Sequence, residues 1–97
     1  MAFKSGSKTT TTGVRVALTD ANDYYCSITI QAKTANAGGT IFLGESTVST
    51  TVFAFELAAG EAITLTSSEG DPINTKQIYL DVTGGTVDGV TWGGIAR

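Results

Sequence analysis

The sequence predicts an all-β fold, a sandwich or barrel of about seven or eight short strands, on three observations. Apolar and polar residues alternate over short segments such as Cys26-Ser27-Ile28-Thr29-Ile30-Gln31-Ala32, the period of a strand with one buried face. Glycine and polar turn residues interrupt those segments roughly every ten residues. No stretch sustains the 3.6-residue period of a helix.

The elements follow in order. Residues 14–18 form a first strand with Val14, Val16 and Leu18 inward, and residues 19–23 a polar turn. Tyr24 and Tyr25 open the second strand, in which Cys26, Ile28, Ile30 and Ala32 line the core face while Ser27, Thr29 and Gln31 line the other. A loop through Gly38 and Gly39 leads to residues 40–43, and Gly44 ends that strand. Residues 47–51 are a short strand or an extended connection. Phe53, Phe55 and Leu57 alternate along a strand at 52–57. A tight turn at 57–61 follows, where Gly60 supplies the positive φ that closes a hairpin. Strands at 62–66 and 77–82 flank the longest polar loop, 67–72, which holds the single proline, Pro72. Gly84-Gly85 and Asp88-Gly89 punctuate a last segment, Val90-Thr91-Trp92.

A chain of 97 residues fits one domain. The predicted organisation is an extended N-terminal arm, 1–13, followed by a β-sandwich domain, 14–97. The arm is rich in Ser, Thr, Lys and Gly, contains the run Thr9-Thr10-Thr11-Thr12, and has Phe3 as its one large apolar residue. Extended, it spans about 40 Å at ~3.3 Å per residue, enough to reach a neighbouring molecule. So short a chain buries only somewhat over ~60% of its unfolded surface, and association of copies into a homo-oligomer is the expected supplement.

Net charge is −3, but its distribution is uneven. Lys4, Lys8 and Arg15 stand in the first nineteen residues with no acid, and all nine carboxylates lie from Asp20 onward against Lys33, Lys76 and Arg97. An acidic body repels phosphate, which argues against nucleic acid as a partner. The sparse basic arm suits an acidic protein surface, with Phe3, Lys4, Lys8 and Arg15 as candidate contacts. No apolar run approaches the ~20 residues that cross a bilayer, and the first residues lack the apolar centre of a signal peptide. The expectation is therefore no membrane partner and synthesis in a cytoplasm. None of the Asn-x-x triplets is a glycosylation acceptor.

Groups capable of chemistry are scarce. The chain has no histidine, which excludes His-dependent triads and His-ligated zinc. Cys26, the single cysteine, allows no internal disulfide and reads as a core thiol without a base to activate it. Glu45 and Glu56 on adjacent strands are the carboxylate pair to weigh for glycoside hydrolysis, and solvated strand-end acids explain them more simply. Asp20, Asp23, Asp71, Asp81 and Asp88 lack the spacing of an EF-hand loop, and turn formation accounts for Asp20 and Asp88. Gly6-Ser7-Lys8-Thr9 echoes a phosphate-binding loop, but no strand precedes it and its first glycine is missing. The expected function is non-enzymatic, with no catalytic residues, cofactor or metal. Tyr24, Tyr25, Phe42 and Trp92 are the aromatics to place either in the core or on a contact surface.

The order of elements resembles a known family. Cys26–Ala32, then Gly39-Thr40-Ile41-Phe42-Leu43-Gly44 with Thr47-Val48-Ser49, then Leu57-Ala58-Ala59-Gly60-Glu61-Ala62-Ile63-Thr64-Leu65, then Ile78-Tyr79-Leu80-Asp81 is similar to the small β-sandwich virion proteins of tailed bacteriophages, the capsid decoration (cement) proteins and head-fibre bases. The likeness covers about residues 14–92 and rests on spacing. It implies a jelly-roll-like sandwich without catalysis that sits on the capsid exterior of a virion. There it acts as a dimer or trimer tying neighbouring major capsid protein subunits together. The alternative is a carbohydrate- or receptor-binding module of a fibre or tail, with Tyr24, Tyr25 and above all Trp92 as exposed aromatic contacts.

Overall fold

The computed structural model describes residues 2–36, 39–68, 70–83 and 87–96. Among these, the strands are β1 (Ala2–Thr10), β2 (Val16–Ala17), β3 (Tyr24–Ala32), β4 (Ile41–Gly44), β5 (Phe55–Leu57), β6 (Ala62–Thr66), β7 (Ile73–Asn74), β8 (Tyr79–Val82) and β9 (Asp88–Ala96), with one 3-10 turn at Thr75–Gln77. Two antiparallel sheets result. A five-stranded sheet runs β1-β9-β3-β6 with β7 pairing the start of β3, and a four-stranded sheet runs β2-β8-β4-β5. With the two-residue β7 set aside, successive strands alternate between the sheets except at β4 and β5, which pair as neighbours in the four-stranded sheet, the wrapping of a jelly roll.

The core lies between the sheets. Ile28, Ile30, Ala32, Val90 and Trp92 of the five-stranded sheet meet Ile41, Leu43, Leu57, Leu80 and Val82 of the other, joined by Leu18 and Tyr25. Each set alternates along its strand, so burial follows the two-residue period that the sequence displays. The polar β2–β3 connection is pinned under the 3-10 turn. The Thr75 backbone N–H donates to the Asp23 carbonyl at 3.0 Å, the Asn74 side chain accepts from the Asp23 N–H at 3.2 Å, and the Thr19 and Thr75 hydroxyls lie 2.8 Å apart. Gly60 has the expected positive φ, +83, in the turn before β6, but the turn closes no hairpin: β5 pairs with β4 and β6 with β3, so the chain crosses there from one sheet to the other.

Four further expectations are corrected. The arm expected at residues 1–13 is, from Ala2 onward, part of the domain: Ala2–Thr10 pairs along its whole length with β9, from Ala2 opposite Ala96 to Thr10 opposite Asp88. The inward positions of β1 are Lys4, Gly6, Lys8 and Thr10, so no apolar alternation marks it. Its core cover comes from Trp92, whose indole lies over Gly6 so closely that a Cβ there would stand 2.5 Å from Cζ2.

Cys26 is not a core residue. The β3–β9 register shifts between Tyr25 and Ser27, and the extra residue of this bulge is Cys26, left half-buried. The bulge turns Tyr25 inward, 1% exposed, while Ile28 beyond it keeps its inward place. Gly94 faces Ile28 just past the shift, where a Cβ would sit 2.1 Å from the Ser27 carbonyl oxygen.

Val14 is 52% exposed rather than inward, because a turn closed by its N–H on the Thr11 carbonyl precedes β2. The strand expected at 52–57 is only Phe55–Leu57. Upstream, the Ser49 hydroxyl accepts from the Val52 N–H at 3.1 Å and bends the chain, which brings Phe53 onto Phe42 with ring centroids 4.7 Å apart. The Gly84-Gly85 turn, Gly38 of the earlier loop, and the charges of Glu69 and Arg97 lie outside the described residues.

Candidate interaction surface

Pairing in the five-stranded sheet fixes what its outer face presents. Side chains directly opposite each other share a face, so the outward rows run Phe3–Ile95–Ser27–Thr66, then Ser5–Gly93–Thr29–Thr64, then Ser7–Thr91–Gln31–Ala62. These three rows carry hydroxyls, one amide and small residues without an ionisable group, and Lys33, whose N–H donates to the Gly89 carbonyl at 3.0 Å, borders them beside Gln31 and Thr91. The Thr29 and Thr64 hydroxyls hydrogen-bond across β3 and β6 at 2.9 Å. One end of the face is apolar: Phe3, 87% exposed, stands beside Ile95, and Tyr24, 43% exposed, projects from the start of β3 one step further along.

The residues singled out in the sequence are divided by this geometry. Phe3 and Tyr24 share the outer face. Lys4 and Lys8 take the inward side of β1, and Arg15 lies against the other sheet, with Nη1 donating to the Ser46 carbonyl at 3.4 Å. Tyr25 and Trp92 are not surface contacts at all, at 1% and 6% exposure. The Trp92 Nε1–H donates to the Tyr25 hydroxyl at 3.2 Å, and that hydroxyl donates on to the Asp23 carboxylate at 3.4 Å. Lys4 Nζ closes the chain as an ion pair with Asp23. The Asp23 carboxylate, by accepting that hydrogen bond, raises the Lys4 ammonium above its ordinary value, against a smaller opposing effect of desolvation. The polar ends of both buried aromatics are thereby satisfied, and β1 is tied to the body at its N-terminal end. Burial of Trp92 removes the proposed anchor for a sugar ring.

At the far edge from β1, the sandwich is open. β5 has three residues and leaves the inner face of β6 part-covered, so Ile63 and Leu65 are half-buried beside an apolar cleft of about 170 Å³, lined also by Leu43, Phe55 and Ile78, with Glu45 at its wall. Phe53 and Phe55 nearby are 41% and 43% exposed. Sequence alternation marks these residues as core, and it carries no information on how short the covering strand is. The uncharged face was equally hidden, because it depends on which strands become neighbours.

Among the described residues, no group of three or more His, Cys, Asp or Glu side chains could hold a metal ion, and no helix is long and apolar enough to cross a membrane. Asp81, 4% exposed, is used internally: Oδ1 accepts from the Gly13 N–H at 3.0 Å and from its neighbour Val82 N–H at 2.8 Å, fastening the β1–β2 connection to the second sheet. Comparison of the chain with protein-family models, with curated proteins and with solved structures returned no match.

Proposed function

We propose that this chain is a non-enzymatic structural protein of a bacteriophage virion, a capsid decoration protein. It docks the outer face of its five-stranded sheet on the capsid exterior and joins neighbouring major capsid protein subunits. The observation that carries this reading is the four-strand face of Ser5, Ser7, Thr29, Gln31, Thr64 and Thr91, free of charge, with Phe3, Ile95 and Tyr24 at one end. The centres of protein interfaces are depleted of charged residues and anchored by aromatics, and hydroxyls there are satisfied by the partner or by bridging water. The strand order noted above, similar to that of the cement proteins, supplies the class of partner.

The mechanism is interfacial. A protein that binds the assembled shell and not its free subunits lowers the free energy of the shell by mass action. Copies that contact several subunits at once convert weak contacts into strong attachment, since each further contact is intramolecular.

The test is co-sedimentation with purified shells of the phage that encodes it. The pair Thr29→Lys and Thr91→Lys plants unpaired charge in the middle of the face, where burial is costly. Occupancy is expected to fall at least about 10-fold while the melting temperature stays within about 2 °C, because both positions are exposed. Unchanged occupancy sinks the assignment of this face.

A further inference from the structure

We propose that copies of this chain associate head to tail, with Phe3 of one copy seated in the apolar cleft beside β5 and β6 of the next. The two lateral edges of the jelly roll are unlike. β1 ends the five-stranded sheet on one side and β6 on the other. On β1, Phe3 is 87% exposed, the most exposed large apolar side chain among the described residues, and Lys4 and Lys8 are the strand's only charges. The opposite edge offers the 170 Å³ cleft between Leu43, Phe55, Ile63 and Leu65. Its surroundings carry Glu45 in the cleft wall and Glu61 just before β6, with Glu56 on the other face of β5 and no basic residue on either strand, while Arg15 and Lys76 stand near Glu45.

An apolar knob with basic neighbours therefore faces, across the molecule, an apolar hole with acidic neighbours. The same charges decide the symmetry. Two β1 edges brought together would set Lys8 against Lys8, Lys4 being paired with Asp23, and two β5–β6 edges would set carboxylates against carboxylates, which disfavours both isologous dimers. Only the heterologous contact pairs unlike edges. Such a contact uses two different surfaces of each copy, so it generates a ring or an open chain rather than a closed pair. Phe3 also borders the face proposed for shell docking, whereas the cleft beside β5 and β6 does not, and the contact forms between copies in free solution with no shell present. It therefore stands or falls independently of shell binding.

Sedimentation equilibrium over a range of protein concentrations tests it. Wild-type protein should self-associate, and Phe3→Asp should raise the dissociation constant about 10- to 100-fold, the range expected for losing one buried aromatic from an interface. Ala54→Arg fills the cleft mouth from an exposed position without emptying the core, and should do the same. Phe3→Asp retains an intact cleft and Ala54→Arg an intact Phe3, so mixing the two variants should restore a one-to-one dimer that grows no further. Circular dichroism of each variant confirms that it is folded. A wild-type protein that stays monomeric up to millimolar concentration, folded variants that associate as tightly as wild type, or two variants that fail to complement on mixing would each overturn the proposal.

Discussion

Replacing Gly6 by alanine puts a methyl carbon 2.5 Å from Cζ2 and 2.8 Å from Cε2 of Trp92, where carbon atoms in good contact stand about 3.5–4.0 Å apart. The indole is rigid, 6% exposed, and held by its Nε1–H on the Tyr25 hydroxyl, so it must shift by about 1 Å as a unit or β1 must lift away. Overpacking of this kind costs about 1–3 kcal/mol, and a stretched hydrogen bond from a buried donor adds to it. Alanine returns about 0.5–1 kcal/mol through the lower entropy of the unfolded chain. The net loss expected is about 1–3 kcal/mol, or a fall in Tm of roughly 5–20 °C for a domain of this size. Urea unfolding followed by far-UV circular dichroism measures the loss, and emission from the single tryptophan reports the indole's displacement. In a Trp92→Phe background the clashing ring is gone, so the cost of Gly6→Ala should shrink by about 1 kcal/mol or more. If Gly6→Ala is neutral within about 0.5 kcal/mol and leaves the emission unchanged, residues 2–10 hang free of the sandwich and the strand assignment of β1 fails.

Removing the Asp81 carboxylate in Asp81→Ala leaves the Gly13 and Val82 N–H groups without their acceptor, at a cost of about 2 kcal/mol. Asp81→Asn retains one carbonyl oxygen and should cost roughly half as much; equal losses for the two variants in denaturant titration would remove Asp81 from that role. The Lys4–Asp23 pair predicts an alkaline effect. Because the folded-state pKa of Lys4 is raised, its contribution is complete below the ordinary value of 10.5 and disappears as pH rises through the raised one. The difference in Tm between wild type and Lys4→Met should thus be constant from about pH 7 to pH 10 and vanish towards pH 12, and a difference that persists there contradicts the pairing.

Much of the sandwich was legible because its interior obeys a two-residue period. Ile28, Ile30, Ile41, Leu43, Leu80 and Val82 are all inside, as their alternation requires. Three features were not legible, each for a physical reason. β1 is an edge strand with polar residues inward, and its cover belongs to Trp92 on another strand, so its own sequence carries no burial signal. Tyr25 is inward because of the bulge at Cys26, a one-residue insertion that reverses parity and is visible only in the pairing with β9. Trp92 reads as a surface anchor if its segment ends at Val90-Thr91-Trp92. Within a nine-residue strand it is an inward position, and Gly6 and the Tyr25 hydroxyl accommodate it. The candidate surface was the least legible part. Ser5, Gly93, Thr29 and Thr64 come from four separate segments, and only strand order makes them one row.

The distribution of charge over the sheets argues that fold and function draw on different residues. The outer rows of the five-stranded sheet contribute one side-chain hydrogen bond between strands, Thr29 to Thr64, and nothing to the core, so selection for stability places little demand on them. Charge would normally be the inexpensive choice for such exposed positions, because it keeps a broad sheet face from meeting another. Its absence across three rows, in a chain with fifteen Lys, Arg, Asp and Glu residues, is therefore a feature that folding does not require. On β1 the opposite holds. The lysines sit at inward positions, Lys4 paired with Asp23 and Lys8 the charge that disfavours pairing of this edge with its own kind, and they leave Phe3 as the apolar projection. An outer face with three uncharged rows and an edge that projects Phe3 beside Lys8 are what the two proposed contacts require, one with a foreign surface and one with the next copy.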